Sequence, residues 1–356
     1  MSAPAGVLQT RHQSPVTGTL DLPCRIRVFR NGIDLGLFAP NVGERSFSIN
    51  FEPILPNDQV EVFTEDGRPL INSPFTAPDR LSEIIDGIDL CSSRILEMGP
   101  LDRPLLSKTA ATVSYVDHAS RADLLKKYEG TGTAGTVSPA HIAEIDIVWD
   151  GVGPIVEVTD QRFDACISSH VIEHVPDIIS WLQNIGSVLR PGSLIIMAIP
   201  DKERTFDFYR QPTKPADLIA TYLEKRTRPS PAQVFDHITN VVEFGSPRPP
   251  LDPHVVDEAY RHAWAVHHNP HYLDVHCSVF TQQSFLSCFE TLAYCGLINL
   301  KLRNFFPTRA GANEFIVSME YGDFSLPDMA ESFAAARRTI SPSNNLNHTA
   351  SGDCLT

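Results

Sequence analysis

At 356 residues the chain exceeds one average domain, so two folded units are expected. Its 42% hydrophobic and 20% charged composition is that of an ordinary globular protein and excludes an intrinsically disordered one. A formal net charge of -14 with no Lys/Arg cluster argues against nucleic acid as a partner and favours a small molecule or a glycan.

Residues 1–20 read as a flexible leader. They carry no apolar core behind a basic start, so they are not a secretory signal. Residues 21–78 read as a small β-sandwich-like accessory domain. Ile26 and Val28 alternate with arginines, Asn31-Gly32 is a two-residue hairpin signal before Leu35-Gly36-Leu37-Phe38, and Ser46–Phe51 alternates again. Val60–Thr64 then reaches a second turn at Asp66-Gly67. Such a module serves either as a docking platform for a glycan or protein, or as a packing appendage.

Beyond residue 80 the period changes. Leu81, Ile84, Ile85 and Ile88 mark a helix, and Arg94–Met98 is a buried strand ending at Gly99. Strands are expected at Val113–Asp117, Asp146–Trp149, Phe163–Ser168 and Ser193–Ile199, with helices at Arg121–Tyr128 and Asp177–Leu189. The stretch 204–276, rich in Pro and His, reads as an irregular insertion. A helix at Gln282–Cys295 precedes strands Asn299–Phe305 and Glu314–Glu320, which are joined by a short loop and should pair antiparallel. The fold class is therefore α/β: a seven-stranded doubly wound Rossmann-like sheet with an antiparallel last strand, plus the small N-terminal β-rich domain. Residues 323–356 read as a helical and then disordered tail. No run approaches the roughly 20 apolar residues that span a bilayer. The seven cysteines are scattered and form no CxxC pair, which suits reduced thiols and a cytoplasmic setting.

In an open α/β sheet the ligand lies beyond the carboxyl ends of the strands. Glu97 and Gly99 close the first strand, Asp117 the second, Asp150 the third; Ser169, His170, Glu173 and His174 follow the fourth. Any one acidic residue at a strand end is commonly only a turn former. Four suitable ends in order form a more specific pattern.

The run Phe163-Asp164-Ala165-Cys166-Ile167-Ser168-Ser169-His170-Val171-Ile172-Glu173-His174-Val175-Pro176-Asp177 resembles the segment after strand four of class I S-adenosylmethionine-dependent methyltransferases. So does Val188-Leu189-Arg190-Pro191-Gly192-Ser193-Leu194-Ile195-Ile196. Ala198–Lys202, Gln233–His237 and Asp274–Cys277 are similar to a bacterial subgroup often encoded beside glycosyltransferases. The resemblance spans roughly 80–322. It implies S-adenosyl-L-methionine as cofactor, with Glu97 on the amino group, Gly99 under the methionine part, Asp117 on the ribose, Asp150 on the adenine, and Ser169 and His170 on the methyl-transfer side. The chain departs from the family at the glycine-rich turn, which reads Glu97-Met98-Gly99-Pro100-Leu101-Asp102-Arg103-Pro104 and keeps only Gly99.

A hydroxyl acceptor needs a base near the methyl. Among His170, Glu173, His174, Asp201, His237 and His276, the expected catalytic residues are His237 and His276, with His174 held either for catalysis or for the helix start. Asp201, Lys202, Arg204 and Phe208 are expected at the acceptor mouth, unless that loop is merely solvated. No metal is expected: in the histidine-rich stretch His254–His276, His267 and His271 have helical spacing, but Asn269-Pro270 interrupts it.

The leading expectation is O-methylation of a saccharide, or of a saccharide-linked intermediate, in assembly of a cell-surface polysaccharide. Its alternatives are a catalytically weak scaffold partnering a glycosyltransferase, and a small-molecule O- or N-methyltransferase. A glycosyltransferase or a second copy of the chain is the expected protein partner. A nicotinamide dehydrogenase would need a glycine fingerprint that this sequence lacks.

Overall fold

The computed structural model describes residues 6–8, 16–39, 45–49, 58–70, 73–76, 79–128, 137–269, 272–309 and 311–340. Its N-terminal part holds seven strands: β1 (Gly6–Leu8), β2 (Val16–Leu20), β3 (Ile26–Arg30), β4 (Ile33–Phe38), β5 (Ser46–Ile49), β6 (Gln59–Thr64) and β7 (Phe75–Thr76). They form two antiparallel sheets, ordered β1-β2-β5 and β4-β3-β6-β7. Leu20 and Phe47 from the first meet Ile26, Val28, Val60 and Val62 from the second in one apolar core, the packing of a sandwich. Asn31 (φ 52°) and Gly32 (φ 77°) supply the two positive-φ positions that a tight type I′ hairpin requires. The leader reading of residues 1–20 is corrected here. Strands β1 and β2 lie within it, and β2 is the centre of the first sheet, paired with β1 on one side and β5 on the other.

The remainder is built on one sheet. Helix α1 (Arg80–Ile84) leads to β8 (Arg94–Met98), β9 (Thr112–Asp117), α2 (Arg121–Tyr128), β10 (Ile147–Val148), β11 (Phe163–Ser169), α3 (Ile178–Ser187) and β12 (Leu189–Pro200). After helices α4 (Pro215–Leu223), α5 (Pro231–Asn240), α6 (Pro253–His268) and α7 (Gln282–Tyr294) come β13 (Leu300–Phe306), β14 (Glu314–Tyr321) and α8 (Leu326–Thr339). The sheet order is β10-β9-β8-β11-β12-β14-β13. The first five strands are parallel; β14 runs antiparallel to both its neighbours. With the seven strands numbered along the chain the order is 3-2-1-4-5-7-6, and it reverses between β8 and β11.

Side-chain alternation sorts the two faces. Leu96, Met98, Cys166, Ile195, Met197, Val317 and Met319 face α3, α7 and α8 in the larger core. Ile95, Val113, Tyr115, Ala165, Ile167, Leu194 and Ile196 face α1 and the loop after β8. The insertion is not irregular, as its composition suggested: it contains three helices, each starting with a proline at the first turn (Pro215, Pro231, Pro253). There proline's fixed φ favours the helix and its missing N–H costs nothing, so these prolines are start signals. The tail is helical through α8, whereas 341–356 lie outside the described residues. Among the described residues all six cysteines are free, and no helix is long and apolar enough to cross a membrane.

Phe289 is fully buried, stacked on Phe285 at 4.1 Å between ring centres and in contact with Phe333. The substitution Phe289→Ala should cost about 3–5 kcal/mol. In urea denaturation this appears as a lower midpoint with an unchanged slope.

Candidate functional site

The carboxyl ends of β8, β9, β10, β11 and β12 share one edge of the sheet, on either side of the reversal between β8 and β11, where an open α/β sheet binds its ligand. Gly99 leaves β8 exposed, with φ +63°, and its N–H donates to the Val116 carbonyl at 2.8 Å. A Cβ at this position would lie 2.9 Å from Val171 Cγ2, so the close approach of the two loops depends on glycine. No helix follows: residues 99–111 form a loop stiffened by Pro100 and Pro104. Glu97 anchors that loop. It lies on the α1 face of the sheet, 2% exposed, and its carboxylate accepts from the Leu105 N–H at 2.6 Å and the Leu106 N–H at 3.2 Å. Burial pushes its pKa up to about 7, against the pull of those two amides. The carboxylate expected on the cofactor's amino group is thus spent on shaping the loop.

Asp117 is buried at the end of β9, where its Oδ1 accepts from the His118 N–H at 2.8 Å and faces His118 Nδ1 at 2.6 Å. Asp150 is exposed, and its Oδ1 accepts from the N–H groups of Val152 (2.9 Å) and Gly153 (3.0 Å), the geometry of a turn former. Ser169 accepts from the Arg80 guanidinium. His170 sits at φ +53° with Nε2 2.9 Å from Glu314. Burial would raise the Glu314 pKa, but His170 and Arg80 outweigh it and bring it to about 2. Arg80 and Glu314 join this edge from 89 residues before Ser169 and 144 after His170, a separation no motif reveals.

The charged group after β12 is corrected in part. Asp201 is 1% exposed and accepts from the Glu203 N–H, Gln282 Nε2 and the Thr308 hydroxyl. Lys202 is buried too, with Nζ donating to the Phe208 carbonyl at 2.8 Å; burial lowers its pKa, against Glu203 and Asp201. Backbone bonds from Asp201 to Asn313 and from Lys202 to Phe280 draw both residues inward. Arg204 and Phe208 are exposed.

The expected histidines do come together. His276 packs edge-on against His174 with ring centres 4.8 Å apart, and lies 5.8 Å from His237. Each of the first two rings is oriented by a carboxylate: His276 Nδ1 is 2.5 Å from Asp207 Oδ2, and His174 Nδ1 is 2.8 Å from Asp274 Oδ1. Hydrogen bonding from His174 lowers the Asp274 pKa to about 2. For Asp207 burial acts upward, but His276 and Arg210 prevail and lower it. Arg210, 3% exposed, donates to Asp207 at 2.9 Å, to Asp236 at 2.7 Å and to the His276 carbonyl at 2.9 Å. Its Nη1 also faces His237 Nδ1 at 3.4 Å. Burial, Arg210 and His276 together lower the His237 pKa to about 4, so this ring is neutral at pH 7. An Arg210 donor at Nδ1 suits the tautomer that carries its proton on Nε2. Beside these rings is Glu173, on the short turn Ile172–His174, its backbone carbonyl accepting from the Cys277 and Ser278 N–H groups. Asp207 and Arg210 escaped the sequence reading; their i,i+3 spacing was the one signal available.

A family model for a methyltransferase domain matches residues 80–292, more than half of the chain. The chain belongs to this methyltransferase family. No curated protein matches the sequence. Among solved structures, the O-methyltransferase of a trans-AT PKS multienzyme from Brevibacillus brevis, in complex with S-adenosyl-L-homocysteine, is 10% identical (73% of this chain, 77% of that chain, TM-score 0.38). An S-adenosylmethionine-dependent methyltransferase from Listeria monocytogenes is also 10% identical (68% and 96%, TM-score 0.35), and a zinc-dependent alcohol dehydrogenase from Rhodobacter sphaeroides 13% (68% and 89%, TM-score 0.39). These likenesses are distant; the assignment rests on the family model, with the 3-2-1-4-5-7-6 sheet in agreement. The protein is a class I methyltransferase enzyme with S-adenosylmethionine as cofactor. Its sheet edge suits that cofactor: Gly99 leaves the backbone open, and Asp117 places a carboxylate at the end of β9.

The raised Glu97 pKa has a sign that can be checked. Folding favours the protonated carboxyl, so between about 4.5 and about 7 the folded state holds more proton than the unfolded one and stability falls as pH rises. Measured by urea denaturation relative to Glu97→Gln, the wild type should lose stability across that window and change little above it.

Proposed function

We propose that the protein transfers a methyl group to a hydroxyl oxygen of a saccharide or saccharide-linked acceptor. The observation that carries this reading is the His276–Asp207 pair. With Nδ1 given to a buried carboxylate, the ring keeps its Nε2 lone pair for a proton, the arrangement that makes imidazole a general base. The cofactor supplies a sulfonium methyl when bound; the chain's part is to hold the acceptor oxygen in line and remove its proton. His174, 2.8 Å from Asp274, flanks the same space, and an Nε2–H on His237 serves a second acceptor oxygen. On the cofactor side Gly99, Asp117, Asp150, Ser169 and His170 are assigned to the nucleoside and methionine portions, and Glu97 to positioning the loop beneath them.

A ring acceptor suits the aromatic surface beside the histidines. Phe206, Phe208 and Phe244 are 39%, 44% and 49% exposed, Phe206 lies 4.8 Å from the His276 ring, and Phe208 touches Phe244 and Tyr209. Exposed aromatic faces of this kind pack on the C–H face of a sugar, and Arg204 is at hand for an acidic substituent. Assembly of a cell-surface polysaccharide is the setting proposed for such an acceptor. For a glycosyltransferase partner we assign the N-terminal sandwich, whose edge strand β4 exposes Ile33 (67%) and Leu37 (37%).

Release of S-adenosylhomocysteine, followed by mass spectrometry over a panel of nucleotide-linked and lipid-linked sugars, tests the reading. One saccharide class should be methylated on oxygen. The substitution His276→Gln should lower kcat by about 10²–10⁴-fold, with nucleoside affinity unchanged. Unchanged turnover in His276→Gln, or methylation confined to nitrogen acceptors, would exclude it.

A further inference from the structure

The lone pairs that suit His174 and His276 to proton transfer converge with a third donor. One ligand atom each from Glu173, His174 and His276 lies within 4.8 Å of the others. Glu173 is the unusual member. Its side chain is 3% exposed, and neither carboxylate oxygen has a hydrogen-bond partner among the described residues. The nearest cationic candidates, His170 Nδ1 and His174 Nε2, stand 3.8 and 3.9 Å from Oε1, beyond hydrogen-bond reach. A buried carboxylate costs several kcal/mol unless something compensates it, and here no protein donor does.

The two imidazoles face the same carboxylate. Asp207 holds His276 through Nδ1, which leaves the Nε2 of that ring for a partner, while Asp274 stands 2.8 Å from His174 Nδ1, a nitrogen with no hydrogen bond among the described residues. A carboxylate behind a histidine whose other nitrogen is unprotonated is the usual outer shell of a metal ligand. Two nitrogens and one carboxylate oxygen suit a first-row transition ion better than the all-oxygen preference of Mg²⁺ or Ca²⁺.

We propose that Glu173, His174 and His276 bind a divalent first-row transition ion such as Mn²⁺ or Zn²⁺, in place of the metal-free site expected from the sequence. Three protein ligands leave coordination positions open. An acceptor hydroxyl in one of them would be acidified by the ion and lose its proton to solvent; in that ion-bound state His276 is a ligand, and its proposed role as base belongs to the ion-free state. Ion binding stands on geometry alone; its part in catalysis rests on the proposed hydroxyl acceptor.

The test uses the full chain, stripped with chelator and titrated calorimetrically with MnCl₂ and ZnCl₂, with folding followed by circular dichroism. One ion should bind per chain. The substitution Glu173→Gln should weaken binding at least tenfold, and Asp274→Asn, at a half-exposed carboxylate behind His174, about 10–100-fold. Absence of binding by the wild type at millimolar ion overturns the proposal, as does binding that Glu173→Gln and Asp274→Asn leave unchanged. Titration of S-adenosylhomocysteine into the same samples separates the two readings. Nucleoside binding without ion binding removes the metal site alone, whereas ion binding without hydroxyl methylation leaves the metal site and removes the proposed acceptor.

Discussion

The Arg210 guanidinium is the tie on which the arrangement of the site depends. It is buried, and its contacts run to three separate pieces of chain: Asp207 in the segment after β12, Asp236 on α5 of the insertion, and the carbonyl of His276 beyond α6. Asp207 passes the constraint on by holding the His276 ring through Nδ1. One buried and one part-exposed carboxylate on a buried arginine are not in themselves a large source of stability, because desolvation offsets most of the attraction. Removing one partner is another matter: it leaves an uncompensated charge, and the insertion, the segment after β12 and the histidine then lose their common reference.

The sheet edge and the insertion play different parts. The proposed cofactor side is set by backbone geometry, in the positive φ of Gly99, the loop anchored by Glu97 and the strand end at Asp117. The proposed acceptor side is set by side-chain electrostatics, where carboxylates stand beside imidazoles and aromatic faces stay exposed.

Much of the sheet was legible because its signals are local. Period-two runs, caps and turn residues placed all seven strands within a few residues, and the short loop between β13 and β14 dictated the antiparallel pair. The insertion misled because proline was read as a breaker where it starts helices. Residues 1–20 misled because β2 is short and gains its meaning only from β5, far along the chain. Gly99 and Asp117 stand at the strand ends where the sequence put them, and the three histidines named from the sequence lie together. Asp201 and Lys202 could not be judged, since their burial depends on Phe280, Thr308 and Asn313. Asp207, Arg210 and Glu314 act across separations of 66–144 residues, and no spacing rule reaches that far.

The account stands most directly on where the methyl donor sits. A crystal structure of the full chain with S-adenosylhomocysteine measures this. It should show the ribose hydroxyls on Asp117, the methionine part over Gly99, and the sulfur turned toward the space between His174 and His276. A nucleoside bound elsewhere, or a sulfur facing away from both rings, would contradict it.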